Sequence, residues 1–377
     1  MSSLIDYFYW HGKISLKKIN KHPDEIGKVD TNGRTLLMHV TKKYSPNIIN
    51  LAYRLQDELC MVDKDNMTAL MHYAYSSNIT NRSVYLFKKE FRMQNKDGNT
   101  ALMLYCKYGL PVTYDTIMAL SDEIGMINNY GETALMLLSE RNDIYECNMK
   151  KFVKILENEF CMKDNLGRTA LMHQCCQENI NHEDYILYLY EKEMKMTDNE
   201  GNTALMHLCK NVRNINSDDI CTLSDEIGMK NNKDYTALMY LCKYNNENVT
   251  ESLIRSLKSE ILCINSNGLS AFFYLYHYRE HKLPLNLLLM LKEELLNKYD
   301  YDVEISLKTE NTYDESTHDL SEIYEYDLSS SELGDQVTYN TYKNTHQNDE
   351  TEDENDENGS EEYEDSDESF DNSNENF

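Results

Sequence analysis

Clustered positive charge, long apolar runs and the short motifs of catalysis are all scarce in this chain of 377 residues. Lys and Arg number 37 against 65 Asp and Glu, a formal net charge of −28. No stretch gathers the basic residues that binding a phosphate backbone needs, so nucleic acid is not an expected partner. The longest apolar run, Leu283 to Leu291, falls short of the ~20 residues of a membrane-spanning helix. Met1 to Trp10 has no basic n-region, and its apolar run is broken by Asp6. These absences point to a soluble intracellular protein, cytoplasmic or alternatively nuclear, with no membrane partner. In that setting the sequon Asn78-Ile79-Thr80 carries no glycan.

The motifs of chemistry are missing too. There is no Gly-x-Gly-x-x-Gly, no Gly-Lys-Ser/Thr loop, no His-Arg-Asp, no Asp-Phe-Gly and no Gly-x-Ser-x-Gly elbow. Neither Cys-x-x-Cys nor His-Glu-x-x-His occurs. The expectation is a protein that is not an enzyme and takes no cofactor and no metal. Ten Cys are present. Seven occupy recurring sequence positions (Cys60, Cys106, Cys161, Cys175, Cys209, Cys242 and Cys263), which suits small, soft core residues kept reduced in a cytosol. The vicinal pair Cys175-Cys176 is the one candidate for redox chemistry, and packing is the favoured reading.

The acidity is not evenly spread. Thr309 to Phe377 holds 24 Asp and Glu against one Lys, a net of −23, which leaves only −5 for the first 308 residues. High charge with low hydrophobicity cannot offset chain entropy, so residues 299–377 are expected to be a disordered acidic tail. Within it, Leu320 to Leu328 is a short amphipathic piece, and Thr351, Ser366 and Ser369 stand beside acids as an acidophilic kinase would want.

What is abundant is repetition. Thr35, Thr68, Thr100, Thr133, Thr169, Thr203, Thr236 and Ser270 anchor eight copies of one phrase, spaced 33, 32, 33, 36, 34, 33 and 34 residues apart. Such a period marks units that cannot bury an apolar face alone. Five residues before each anchor stands Asp or Asn: Asp30, Asp63, Asn95, Asn128, Asp164, Asp198, Asn231, Asn265. Two before it comes Gly, Asn or Asp, the types that tolerate positive φ. The pair describes a tight turn, and the Thr or Ser is a helix N-cap. A Leu-Met pair follows as the core of a short first helix; the recurring Met is read as packing rather than as a binding strip. Small residues recur six positions past the anchor, letting helices approach closely. A second helix follows, as at Ile48 to Leu59, Phe152 to Phe160, Asp184 to Met194 and Leu253 to Ile261. Each ends in Glu plus an apolar residue, from Glu25-Ile26 to Glu260-Ile261. A Glu at a helix C-terminus opposes the macrodipole. The expectation is that each carboxylate accepts backbone N–H bonds from the next turn. His39, His72, His173 and His207 share one position, but units about 10 Å apart are too far for shared ligation at ~2 Å, so they are read as packing residues.

A turn and two helices in about 33 residues resemble the ankyrin repeat. That family's motif, Asp-x-x-Gly-x-Thr-Pro-Leu-His-x-Ala-Ala, is matched at its Asp, Gly, Thr and Leu positions, with Ala for Pro and Met for His. The resemblance covers roughly Val29 to Leu296. The Thr-Ala-Leu-Met wording is similar to that of lineage-expanded ankyrin families of protists, whose arrays sometimes accompany a protein kinase domain. It implies an all-α ankyrin-repeat solenoid of about eight helix-turn-helix repeats with terminal caps. Residues 1–28 would be an N-terminal half-repeat, its Tyr7, Phe8, Tyr9 and Trp10 against the first full repeat or, alternatively, exposed as an aromatic docking segment. Residues 29–262 would be seven repeats, and 263–298 an eighth repeat and C-terminal cap with a helix over Leu285 to Leu296.

In proteins resembling ankyrin arrays, partners bind the concave face formed by turn tips and first helices. The residue just before the anchor varies freely, which nominates Arg34, Met67, Asn99, Glu132, Arg168, Asn202 and Tyr235; so does the residue seven past it, Lys42, Tyr75, Lys107, Glu140, Cys176, Lys210, Lys243 and His277. Tyr75, Tyr108 and Tyr244 join them because exposed aromatics are enriched at interface hot spots. The expected function is a non-catalytic protein-protein interaction scaffold or adaptor, monomeric, with other proteins as partners. The alternatives are a regulatory subunit of a kinase or other enzyme supplied in trans, and a binder of basic, histone-like proteins through the tail.

Overall fold

The computed structural model describes residues 3–43, 47–76, 79–141, 146–177, 189, 191–213, 215–278, 287 and 290. All of them lie in the first of two compact units, Met1–Ser321. The acidic tail, the helix expected over Leu285 to Leu296 and most of that expected over Asp184 to Met194 fall outside the described residues. Among those described the chain is helical, with no strand and two isolated bridges, Val29 to Thr35 and Ile264 to Ser270.

The same local structure forms at every anchor. The Asp or Asn side chain accepts two backbone N–H bonds, from Asn32 and Arg34 at Asp30 (2.8 and 2.9 Å) and from Asn267 and Leu269 at Asn265 (both 3.0 Å). Two residues before the anchor the backbone is left-handed in all eight copies, including the non-glycine Asn66 (φ 56°) and Asp234 (φ 60°). At Gly131 a Cβ would lie 2.8 Å from the backbone nitrogen of Asn165 in the following turn, so glycine there serves close approach as well as φ. The anchor then caps its helix. Thr35, Thr68, Thr100, Thr133, Thr203 and Ser270 accept an N–H from three residues on, whereas Thr169 and Thr236 do not reach it.

The first helices are Leu36–Lys42, Ala69–Ala74, Ala101–Tyr108, Ala134–Ser139, Ala170–Cys175, Ala204–Asn211, Ala237–Tyr244 and Ala271–Tyr278. Each is too short to persist alone, and each packs against the next. Their Leu-Met pairs are buried, 0–1% exposed from Leu37 and Met38 to Leu238 and Met239. Full burial of one such side chain contributes about 1.5–3 kcal/mol.

The second helices differ from the sequence expectation. Each one read as continuous that lies among the described residues is an α-helix followed by a separate 3-10 turn: Ile48–Arg54 then Gln56–Glu58, Glu146–Ile155 then Glu157–Glu159, Glu251–Ser256 then Lys258–Glu260. The break falls on a fully buried Leu, such as Leu55 (φ −103°, ψ 23°) or Leu257 (φ −104°, ψ 22°).

The break serves the Glu that follows. One Glu58 oxygen accepts the Leu37 N–H (2.7 Å), in the first turn of its own unit's first helix; the other accepts the Gly27 N–H (3.0 Å) of the preceding unit. Glu90, Glu123, Glu159, Glu193, Glu226 and Glu260 repeat the pattern. The recurring carboxylate thus accepts backbone N–H bonds as expected, but from the preceding turn rather than the next one. It also lies at a helix N-terminus, where negative charge is favoured, so the macrodipole conflict disappears. Burial pushes all seven carboxyls above their ordinary pKa, and the N–H donors pull them back.

Two further expectations are corrected. The N-terminal unit has two helices, Leu4–His11 and Leu16–Lys21, and only part of its aromatic run is covered: Phe8 is 1% exposed, Tyr9 65% and Trp10 79%. At helical spacing, Tyr9 and Trp10 fall on the face away from the core. Cys106, Cys175, Cys209 and Cys242 are core residues, but Cys60 and Cys161 are exposed and Cys263 is half-buried. The slot of Cys60 and Cys161 is defined by left-handed backbone (φ 65° and 63°), not by packing.

Candidate binding face

The turn tips form a polar ladder. Wherever the turn residue is Asp, its second oxygen meets a His nine residues on: Asp30 with His39, Asp63 with His72, Asp164 with His173, Asp198 with His207, at 2.9–3.0 Å. Wherever it is Asn, that position holds Leu or Tyr, as in Asn95 with Leu104 and Asn128 with Leu137. Asn231 and Asn265 donate to Tyr240 and Tyr274 at 3.1 and 2.8 Å. An Asp accepts from a ring N–H, an Asn donates to a phenol, and opposite Leu the amide turns to the preceding unit. The two positions vary together, a signal present in the sequence and missed when each was taken singly.

The candidates one residue before the anchor are part of this ladder. Arg34 Nε is 3.3 Å from Asp63, Asn99 accepts from Asn128 (2.9 Å), and Met67 sulfur lies 3.5 Å from Asn95 Nδ2. Asn202 accepts from Asn231 (2.7 Å) and from the Tyr240 hydroxyl (2.9 Å). Glu132 and Arg168 bond within their own turns, to Asn128 and Asp164. Met67 and Asn202 are 8% and 6% exposed, so they have almost no surface to give a partner. Arg34, Asn99, Glu132, Arg168 and Tyr235 are half-buried.

The aromatic candidates form two groups. Tyr75 and Tyr108, both exposed, stack with ring centroids 4.8 Å apart at 18°. Tyr235 and Tyr244 line a cleft of about 320 Å³ together with Tyr240, Lys210, Lys243 and Glu200. Lys243 Nζ stands 5.2–5.4 Å from the rings of Tyr235, Tyr244 and Tyr274, and Lys210 Nζ 5.6–6.0 Å from those of Tyr244 and Tyr240. The Tyr235 and Tyr274 hydroxyls are 2.6 Å apart. Ammonium groups over ring faces are held by the ring quadrupole. Burial raises the Tyr240 hydroxyl above its ordinary pKa, so the phenol stays neutral there. The cleft offers cations, hydroxyls and ring faces, chemistry that suits an acidic or aromatic side chain.

One cluster carries ligand-type atoms. Glu132, Glu140 and His173 bring three of them within 4.8 Å of one another. Glu140 and Asp164 take the two ring nitrogens of His173 at 3.0 Å each, and Lys107 stands 3.7 Å from Glu140. Lys107 and the His173 ring face Glu140 and the Asn128 amide donates to Glu132, so we read the cluster as an internally paired polar network. Burial would raise Glu140, but His173 and Lys107 hold it below its ordinary pKa.

Among the described residues no helix is long and apolar enough to cross a membrane. No protein-family model and no curated protein sequence matches the chain. Among solved structures, it is similar to one of the Bd0816 predatory endopeptidase from Bdellovibrio bacteriovorus in complex with immunity protein Bd3460. Identity is 22%, the match covers 48% of this chain and 92% of that one, and the TM-score is 0.37. A likeness at that level carries no argument about fold or function.

Proposed function

We propose that this chain is an ankyrin-type solenoid serving as a non-catalytic scaffold that binds other proteins through its turn tips and first helices. The observation that carries the reading is the seven-fold recurrence of the buried Glu. Each joins its own first helix to a turn 30–34 residues earlier, which is how serially dependent units hold together. Such a frame supplies rigid surface without chemistry. On it, the Tyr235–Lys243–Tyr244 cleft is the strongest contact, because aromatics in a partly desolvated pocket dominate interface energy.

Affinity purification with mass spectrometry tests this, comparing the wild type with Tyr244→Ala/Lys243→Ala and with the distant control Tyr85→Ala, whose side chain is 58% exposed on a second-helix segment. A partner lost in the first variant and kept in the control supports the assignment. Loss in both, or in neither, overturns it.

A further inference from the structure

Cys176 stands at the C-cap of the helix Ala170–Cys175, seven residues past its anchor. Its Sγ lies 3.6 Å from His207 Nδ1, on the first helix of the following unit. His207 Nε2 is 2.9 Å from Asp198 Oδ2, and Asp198 is fixed by N–H bonds from Glu200 and Asn202. Asn211 Nδ2 also faces the sulfur, at 3.5 Å. The same register one unit earlier shows what this position holds. There Glu140, seven past its anchor, meets His173 Nδ1 at 3.0 Å, with Asp164 on the far nitrogen. Cys176 occupies the place of a carboxylate, facing a carboxylate-backed imidazole and an amide donor.

We propose that Cys176 is a nucleophilic thiolate, a site of covalent modification by hydroperoxides and other soft electrophiles, held by the His207–Asp198 pair. With hydrogen peroxide the thiolate attacks one oxygen, an S–O bond forms and the O–O bond breaks. The departing hydroxide takes a proton from the His207 imidazolium and leaves as water. Sulfur loses two electrons to become the sulfenic acid, and the peroxide is reduced.

The local electrostatics agree. Burial would raise the Cys176 thiol, but His207, His173 and Arg168 bring it below its ordinary value. Burial would lower His207, but Asp198 and Cys176 push it up to about 9. The neighbouring Cys175 thiol is fully buried and held well above its ordinary value, so it stays protonated. Glu226 also feels the His207 charge. Cys60 and Cys161 are more exposed than Cys176, but burial of the sulfur and the nearby Glu90 and Glu193 raise their pKa values. Exposure and charge thus predict opposite orders of reaction.

The full-length protein is alkylated with limiting iodoacetamide from pH 6.5 to 9, and each thiol is followed by peptide mass spectrometry. Hydrogen peroxide with dimedone trapping is run in parallel. At pH 6.5 Cys176 should react at least about tenfold faster than Cys60 and Cys161. Between pH 9 and 6.5 the rates of those two should fall about a hundredfold, as protonated thiols do, while the Cys176 rate should fall by clearly less. The double variant Asp198→Asn/His207→Leu installs the pairing found at Asn95/Leu104. It should bring Cys176 down to the control rate while Cys60 and Cys161 are unchanged. A Cys176 rate that falls in parallel with Cys60 in the wild type overturns the proposal, as does a double variant that reacts like the wild type.

Discussion

Glu159 and Glu157 lie two residues apart on one 3-10 turn and should behave very differently when truncated. Glu159 is 1% exposed and accepts the Leu135 N–H at 2.6 Å and the Gly125 N–H at 2.8 Å; Glu157 is exposed. Glu159→Ala leaves the buried Leu135 N–H without an acceptor and turns the Gly125 N–H, on an exposed residue, over to solvent. A hydrogen bond to a charged group contributes about 1.5–3 kcal/mol. Two of them would give about 3–6, and relief from burying the carboxylate returns part of that. The expected net loss is about 3 kcal/mol, a large share of the roughly 5–15 kcal/mol that holds a typical fold. Glu159→Gln keeps the shape but turns its NH2 toward one of the two donors. It should cost about 1–2 kcal/mol, roughly one bond. Glu157→Ala should stay within about 0.5 kcal/mol of the wild type. Urea unfolding followed by far-UV circular dichroism measures all three. If Glu159→Ala and Glu157→Ala have the same midpoint and slope, the carboxylate does not hold the units together and the account of the fold fails with it.

Two more outcomes follow from backbone and charge. Arg92 occupies the slot where Gly125 and Gly228 stand, with φ 65°. Left-handed backbone costs a non-glycine residue about 1–2 kcal/mol and the flexibility of glycine about 0.4–1, so Arg92→Gly should raise stability by about 0.5–1 kcal/mol; a loss in urea midpoint refutes the strain argument. The second outcome is pH dependence. The seven clasp carboxyls sit above their ordinary 4.5, so the fold binds protons that the unfolded chain has released, and stability falls as pH rises through that window. The share from His207, raised from 6.5 to about 9, is complete below 6.5 and lost as pH climbs through 9, while the lowered Cys176 thiol opposes it over the upper part of that range, so the seven carboxyls set the sign. Asp164, lowered from 3.8 to about 2, contributes above 3.8 and is lost only in strong acid. The urea midpoint should therefore be higher at pH 5 than at pH 9, and the reverse order refutes the assignment.

The parts of the fold legible in the sequence are those fixed by residues close together. The turn needs an Asx acceptor and a left-handed residue within five positions, and Asp30 through Gly33 display both. The helix start needs a Thr oxygen and an N–H three residues away. The break at Leu55 was not legible, because its reason is the reach of Glu58 to Leu37, 21 residues back. A 3.6-residue period and a 3-10 turn are indistinguishable over four residues. Cys60 was misplaced for a different reason. Its slot is not a small-residue slot, since Arg92 and Lys195 occupy it in sister units; what unites these residues is positive φ.

The candidate site shows how variation misleads. Arg34, Met67, Asn99 and Asn202 differ from one another as the residues of an unconstrained rim would. Each instead faces the turn residue of the following unit, and each matches that residue's donors and acceptors: a guanidinium toward Asp63, a carbonyl oxygen toward the Asn128 and Asn231 amides. Their diversity is therefore correlated diversity inside the molecule, and it leaves little freedom for selecting a partner. Surface not committed in this way lies at the far ends of the first helices, where Tyr75, seven past its anchor, and Tyr108 and Tyr244, eight past theirs, are 42%, 44% and 48% exposed. Seven past the anchor the side chain meets the first helix of the next unit without being claimed by its turn. Its chemistry can therefore change, from Glu140 to Cys176 to Lys210, without unpairing the ladder. Specificity and reactivity should both be sought there rather than at the tips.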